Sequence, residues 1–196
     1  MNSIYTHLLV NENNEPIPWF TYPSIQYLDQ LDLSEKTIFE WGSGNSSLYF
    51  SRLCKNIISV ENNFEWFNHV NNNKKNNQEV FYTKNKDEYI SHIHKFQKFD
   101  IIVIDGDYRH DCSLESIKCL KDNGLIIFDN SNWYVESCDF LRNNNLIQVD
   151  MHGMGPINDY GWTTTLFFKR GYDFEPLGNT QPKKPIGGNL IYNCNN

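Results

Sequence analysis

The 196-residue chain has no alanine, no run of basic residues longer than a pair, and no CxxC. It also lacks any apolar stretch near the roughly twenty residues that a membrane-spanning helix needs. Each absence excludes something. Without alanine, the best helix former, and with asparagine frequent, helices must rely on packing rather than on propensity. Without a basic tract, and at a formal net charge of -7, a nucleic-acid substrate is disfavoured, because such substrates demand a positive face. Cys54, Cys112, Cys119, Cys138 and Cys194 are odd in number and widely spaced, which suits reduced thiols better than a disulfide framework or a zinc site. The amino-terminal MNSIYTHLLVNENNEPIPW lacks the basic start and apolar core of a signal peptide. These exclusions lead to the expectation of a soluble, cytoplasmic protein with no membrane partner. What the chain does have is aromatic residues: Phe 13, Tyr 11 and Trp 5. They argue for a packed core rather than disorder, and the length suits one domain over 1–196.

Apolar runs alternate with amphipathic segments, the βαβα rhythm of a parallel sheet. Strands are expected at Thr37–Glu40, Asn56–Val60, Glu79–Thr83, Phe99–Ile104, Gly124–Phe128, Asn145–Met151 and Thr163–Phe168. Helices are expected at Ser47–Leu53, Asn63–Val70, Asp87–Phe96, Cys112–Leu120 and Tyr134–Leu141. The fold class is therefore α/β, a three-layer αβα sandwich on a Rossmann-like, seven-stranded, mostly parallel sheet whose last strand is antiparallel. The polar 71–78 reads as a solvated connection, and Gly153–Gly161 as a loop that reaches over the active face. Pro16–Tyr22 and the Pro- and Gly-containing tail Gly171–Asn196 flank the core without periodicity.

The most informative stretch is Thr37–Ser47, TIFEWGSGNSS: an apolar strand that ends in Glu40 and breaks into Gly42-Ser43-Gly44. Glycines there permit positive φ and close backbone approach to a ligand, and Asn45 and Ser46 can cap the helix that follows. A second short strand ends in Glu61, followed by Asn62. A carboxylate at that place accepts hydrogen bonds from ribose hydroxyls in nucleoside-binding α/β folds. No GK[ST] follows the glycines, so a P-loop is excluded. Glu40 would repel a pyrophosphate but suits a ligand with an ammonium group, such as the methionine end of S-adenosyl-L-methionine (SAM).

On these residues the chain resembles the class I SAM-dependent methyltransferases. Glu40, Gly42 and Gly44 match their acidic-x-Gly-x-Gly motif and Glu61 their ribose carboxylate, while Ser46 stands where a third glycine would fall. The resemblance implies that Glu40, Gly42, Ser43, Gly44, Asn45, Glu61, Asn62 and Asp105 hold SAM. Asn85 and Asp87, after the third strand, stand where adenine contacts usually arise.

A second constellation closes strands four and five: Asp105, Asp107, Arg109, His110 and Asp111 in IDGDYRHD, and Asp129 with Asn130 in FDNSN. Adjacent strand ends share one crevice in an open parallel sheet. Asp105, Asp129 and Asn130 form a hard oxygen set of the kind that suits Mg²⁺. The arrangement resembles the catechol O-methyltransferase type of small-molecule enzyme, which implies these three as metal ligands. Tyr108 stands where that type carries a general-base lysine. The same residues also read as a metal-free polar site in which Asp129 caps the next segment. His110 and Asp105 are the candidate general bases. Arg109 could pair with an anionic substrate group, or with Asp107 or Asp111. Trp19, Phe20, Tyr22 and Trp133 read as a substrate wall or as plain core.

The function expected is O-methylation of a small-molecule or glycan hydroxyl. A homodimer is left open. Two other classes fit the same pattern: an NAD-dependent oxidoreductase, and a non-catalytic protein that binds SAM or a nucleoside.

Overall fold

Ile101, Ile102, Val103 and Ile104 are all fully buried, so the strand that carries them has no solvent face. Successive strand side chains point to opposite faces, and burial on both is the mark of a sheet covered by helices on each side. The computed structural model describes residues 8–178, 181–185 and 188. Cys194 and part of the tail lie outside the described residues.

Among the described residues six helices and seven strands follow in the order α1 (Tyr22–Leu28), β1 (Thr37–Trp41), α2 (Asn45–Phe50), β2 (Asn56–Glu61), α3 (Phe64–Asn73), β3 (Gln78–Tyr82), α4 (Lys86–Ser91), β4 (Phe99–Ile104), α5 (Arg109–Cys119), β5 (Leu120–Phe128), α6 (Val135–Asn143), β6 (Ile147–Met154) and β7 (Gly161–Phe168). Short 3₁₀ turns sit at His92–Lys95 and Ser131–Trp133. The sheet order is β3-β2-β1-β4-β5-β7-β6. Strands β1 to β5 pair in parallel, and β7 runs antiparallel to both neighbours. This is the expected mostly parallel, Rossmann-like sheet with an antiparallel last strand.

The two cores divide the strand residues by parity. Ile101, Val103, Leu125 and Ile127 pack on one face with Ile25 and Leu28 of α1 and with Tyr49 and Phe50 of α2. Ile102, Ile104, Ile126 and Phe128 pack on the other with Tyr89 of α4, Cys112 of α5 and Leu141 of α6. Leu48, Val70 and Val80 form a smaller cluster under α3.

Tertiary structure moved several boundaries. Helix α1 lies where no element was expected: Thr21 precedes a proline in the first turn, where the missing N–H costs nothing. Thr21 also joins the hairpin: its carbonyl accepts the Ile25 N–H at 3.1 Å to start the helix, while its N–H donates to Thr164 Oγ1 at 3.0 Å and its hydroxyl to the Met151 carbonyl at 2.8 Å. Helix α2 starts at Asn45 rather than Ser47. Strands β6 and β7 extend into the expected loop and leave 155–160 as the connection. The described cysteines Cys54, Cys112, Cys119 and Cys138 are free and buried. No helix among the described residues is long and apolar enough to cross a membrane.

Candidate functional site

One cleft of about 580 Å³ opens at the carboxyl ends of β1, β2, β4 and β5, where ligands bind in open α/β sheets. Its wall contains Gly42, Ser43, Gly44, Asn45, Glu61, Asn62, Asp105, Asp129 and Asn130, so most of the residues singled out in the sequence meet here.

The glycine turn is built by two different causes. Gly42 has φ +90, and a Cβ on it would lie 2.8 Å from Gly106 Cα, so both conformation and space require glycine. Gly44 is extended at φ 178, and a Cβ there would only touch the Trp66 ring at 3.7 Å. The second glycine is thus not demanded by backbone or space. Asn45 lines the cleft without capping α2; its amide donates to the Leu9 carbonyl at 2.8 Å and so holds the amino-terminal segment at the cleft edge.

Glu40 corrects the sequence reading. It is fully buried and absent from the cleft wall. The hydroxyls of Ser46, Ser47 and Ser59 all donate to its carboxylate. Burial pushes its pKa up to about 7, with the serine hydrogen bonds opposing. Ser46 and Ser47, which replace the third glycine of the motif, are therefore what sequesters Glu40. Its geometry anchors the turn from below and offers no direct contact to a ligand's ammonium group.

Glu61 does line the cleft. Its Oε2 accepts from the Ser43 N–H at 2.5 Å, and its Oε1 accepts from the N–H groups of Asn62 at 2.9 Å and Asn63 at 2.7 Å. Burial raises its pKa and these donors oppose the rise. A carboxylate offers about four acceptor sites, so capacity remains for a ligand hydroxyl. The Ser43 Oγ is buried beside it without a partner in hydrogen-bonding geometry. Asn62 Nδ2 donates to Asp107 Oδ2 at 2.7 Å, joining the ends of β2 and β4.

At the second constellation, the three proposed metal ligands converge on a guanidinium. Arg109 Nη2 donates to Asp105 Oδ1 at 3.1 Å and to the Asp105 carbonyl at 2.9 Å. Its Nη1 donates to Asn130 Oδ1 at 2.9 Å and to the Asp129 carbonyl, and its Nε donates to the Gly106 carbonyl at 2.8 Å. All five donors of the fork are thereby used. Asp129 Oδ1 meanwhile accepts from Trp162 Nε1 at 3.0 Å and Thr164 Oγ1 at 2.5 Å. This donor set does not fit Mg²⁺: one carboxylate is turned to β7, and the other two oxygens already hold a cation that would repel a second. Among the described residues no cluster of three His, Cys, Asp or Glu side chains could hold a metal. The magnesium reading is not supported.

Burial and the charge of Asp129 push the Asp105 pKa well above the usual carboxylate range, and Arg109 opposes the rise. Burial likewise lifts Asp129 to about 6, against its Thr164 and Trp162 hydrogen bonds. The Asp105 side chain is 23% exposed, and among the described residues no donor reaches its Oδ2. Two non-glycine residues beside this cluster, Tyr108 (φ 53) and Asn130 (φ 52), adopt the left-handed conformation. Such strain is held only where surrounding structure over-determines it, and here the Arg109 clasp spans both turns.

Other assignments fall away. His110 is exposed and absent from the cleft wall, with Nδ1 3.0 Å from Ser137 Oγ on α6. Asn85 caps α4 by accepting the Glu88 N–H at 2.9 Å, and neither it nor Asp87 reaches the cleft. Phe20 is core, and Tyr22 packs against core. Arg109 pairs with Asp105 rather than with Asp107, while Asp111 meets Lys86 at 2.7 Å. Trp19 and Trp133 do line the cleft, and they are joined by Trp66, Trp162, Asn158 and Tyr160. Those four were not picked out in the sequence. Trp66 lies in the first turn after the Glu61 motif, and Tyr160 lies in the loop expected over the active face, so both carried a positional signal.

No family model matches the chain, and no curated protein matches it. Solved structures do. Precorrin-6y C5,15-methyltransferase from Geobacter metallireducens GS-15 aligns over 85% of this chain and 96% of its own, with a TM-score of 0.60 and 11% identity. A methyltransferase-like protein from Silicibacter pomeroyi DSS-3 covers 79% and 89%, at TM-score 0.56 and 18% identity. The fibrillarin pre-rRNA processing protein of Methanococcus jannaschii covers 70% and 68%, at TM-score 0.55 and 12% identity. At such identities the likeness establishes the fold, that of Rossmann-like methyltransferases.

Proposed function

We propose that the protein is a SAM-dependent methyltransferase that acts on a hydroxyl of a small molecule or a glycan. The observation that carries this is the meeting, in one cleft, of the Gly42 turn, the Glu61 carboxylate and the Asp105 carboxylate, on a fold shared with solved methyltransferases. The cleft lies within the roughly 300–1,000 Å³ of small-ligand sites.

In this reading Glu61 accepts one ribose hydroxyl with its remaining lone pair, and Asn62 lies beside it. Ser43 and the extended backbone at Gly44 face the rest of the ligand, with Trp66 behind Gly44. Bound there, SAM would supply an electrophilic methyl carbon on its sulfonium. The chain's task is then to align a nucleophile and to take its proton. Asp105 is the proposed base: its Oδ1 is fixed by Arg109, its Oδ2 is left for an acceptor hydroxyl, and burial raises its pKa, the direction that makes a carboxylate a stronger base. No step runs through a metal.

The test is calorimetric titration of wild type and Glu61→Ala with SAM and S-adenosylhomocysteine, with NAD as control. Micromolar binding of the SAM pair, lost in the variant while NAD stays silent, supports the reading. Silence toward both SAM ligands from folded protein, or binding of NAD alone, sinks it.

A further inference from the structure

We propose that the acceptor end of the cleft takes an uncharged, sugar-type ring, seated by its C–H face on exposed aromatic side chains. This deepens the methyltransferase reading and rests on it for the identity of the cleft's other half.

The charges decide what is refused. Glu61, Asp105, Asp107 and Asp129 line the cleft, and among the described residues Arg109 is its only basic side chain. All five Arg109 donors are spent on Asp105, Gly106, Asp129 and Asn130, and its side chain is only 12% exposed. A phosphate or carboxylate on an acceptor would find no free cation and would face carboxylates at close range. A cation gains little either. Asp105 is paired with Arg109, Asp129 is held by Trp162 and Thr164, and Asp107 is held by the Asn62 amide. An added ammonium would lose its own hydration on entering, and Asp105 Oδ2, which no donor reaches among the described residues, is the oxygen that the acceptor hydroxyl takes.

The walls decide what is accepted. Four of the chain's five tryptophans line this cleft. Trp133 is 62% exposed, Tyr160 53% and Trp19 39%, so the rings form an open rim rather than a closed slot. A flat, apolar ligand gains from burial of both its faces, which an open rim does not provide. A sugar ring matches better. Its C–H face is apolar and packs on an aromatic face, while its hydroxyls stand around the edge and seek polar groups. Asn130 and Asn158 supply such groups in the same cleft, and Asp105, joined to Asn130 through Arg109, stands ready for the hydroxyl that is presented.

Tryptophan fluorescence reads this directly. Free protein and protein saturated with S-adenosylhomocysteine are titrated with methyl glycosides of neutral hexoses, the matching uronic acids, hexose phosphates, an aminosugar glycoside and catechol. Neutral glycosides are expected to perturb the fluorescence saturably, with the charged sugars and catechol at least about tenfold weaker. Trp133→Ala is expected to weaken the neutral glycosides by about tenfold, the usual cost of truncating an aromatic anchor, and to leave S-adenosylhomocysteine binding unchanged. Equal or tighter binding of a uronic acid, phosphate, aminosugar or catechol overturns the proposal, and so does silence toward every neutral glycoside. Failure of S-adenosylhomocysteine to bind in calorimetry would instead sink the methyltransferase reading. The free-protein titration would still decide the acceptor class.

Discussion

Gly42 and Gly106 meet backbone to backbone at the floor of the cleft. A Cβ on Gly106 would stand 2.7 Å from Gly42 N and 2.0 Å from the Tyr89 hydroxyl. The turns after β1 and β4 are thus one packed unit, with α4 sealing it from below, so the Gly42 turn and Asp105 cannot shift independently.

Gly106→Ala is therefore expected to destabilise the fold by about 1–3 kcal/mol, the range for overpacking a tight interior. Urea unfolding of the variant checks this. Tyr89→Phe in the Gly106→Ala background should return only part of the loss, because the Gly42 backbone clash persists.

Glu40 makes stability depend on pH with a definite sign. Its pKa rises from 4.5 to about 7 on folding, so the folded state holds the proton more tightly than the unfolded chain. The contribution is fully present below pH 4.5 and is lost as pH climbs to about 7. The full difference is about 3 kcal/mol. Asp129, raised to about 6, acts in the same direction, so the informative quantity is a comparison. Wild type should lose more stability than Glu40→Gln between these limits in denaturant titrations. Parallel curves would contradict the buried, serine-held carboxylate.

Arg109 stands where the sequence suggested a metal. Chelator is expected to leave methyl transfer unchanged, and added Mg²⁺ to give no increase. Arg109→Met is expected to cost about 3–5 kcal/mol in unfolding experiments, as breaking one side of a buried charge pair does. Arg109→Lys should recover only part of this, since an ammonium cannot serve acceptors on both turns in the fork geometry. Loss of activity on chelation would contradict the clasp.

Asp105 and His110 separate in turnover. Asp105→Asn should lower kcat by roughly 10²–10⁴-fold, the range for a general base, with cofactor affinity retained in calorimetry. His110→Ala should leave kcat unchanged, because its ring faces Ser137 on α6. The opposite pattern would restore His110 as the base.

The sheet was legible because strand periodicity and turn glycines are local signals. The run Phe99–Ile104 reads as a two-faced strand from its composition alone, and Gly42 marks a turn that only glycine can make. Glu61 was legible too, since its place at the end of β2 follows from strand order. Helix α1 was not: a seven-residue helix has too few turns to establish a period, and packing on β6 and β7 rather than propensity holds it. Sequence likewise named Asp105, Asp129 and Asn130 as a converging set, because neighbouring strand ends share one crevice.

What converges between them only the tertiary structure decided. Arg109 lies four residues beyond Asp105 on a helix, and nothing local tells whether its side chain turns toward Asp107, Asp111, solvent or the next strand. Its direction is set by the backbone carbonyls of two separate turns, which come within reach only when β4 and β5 pair. Glu40 is the mirror case: strand order alone puts its carboxylate beside the glycine turn, but the serines of α2 and β2, brought over it by folding, turned that carboxylate inward.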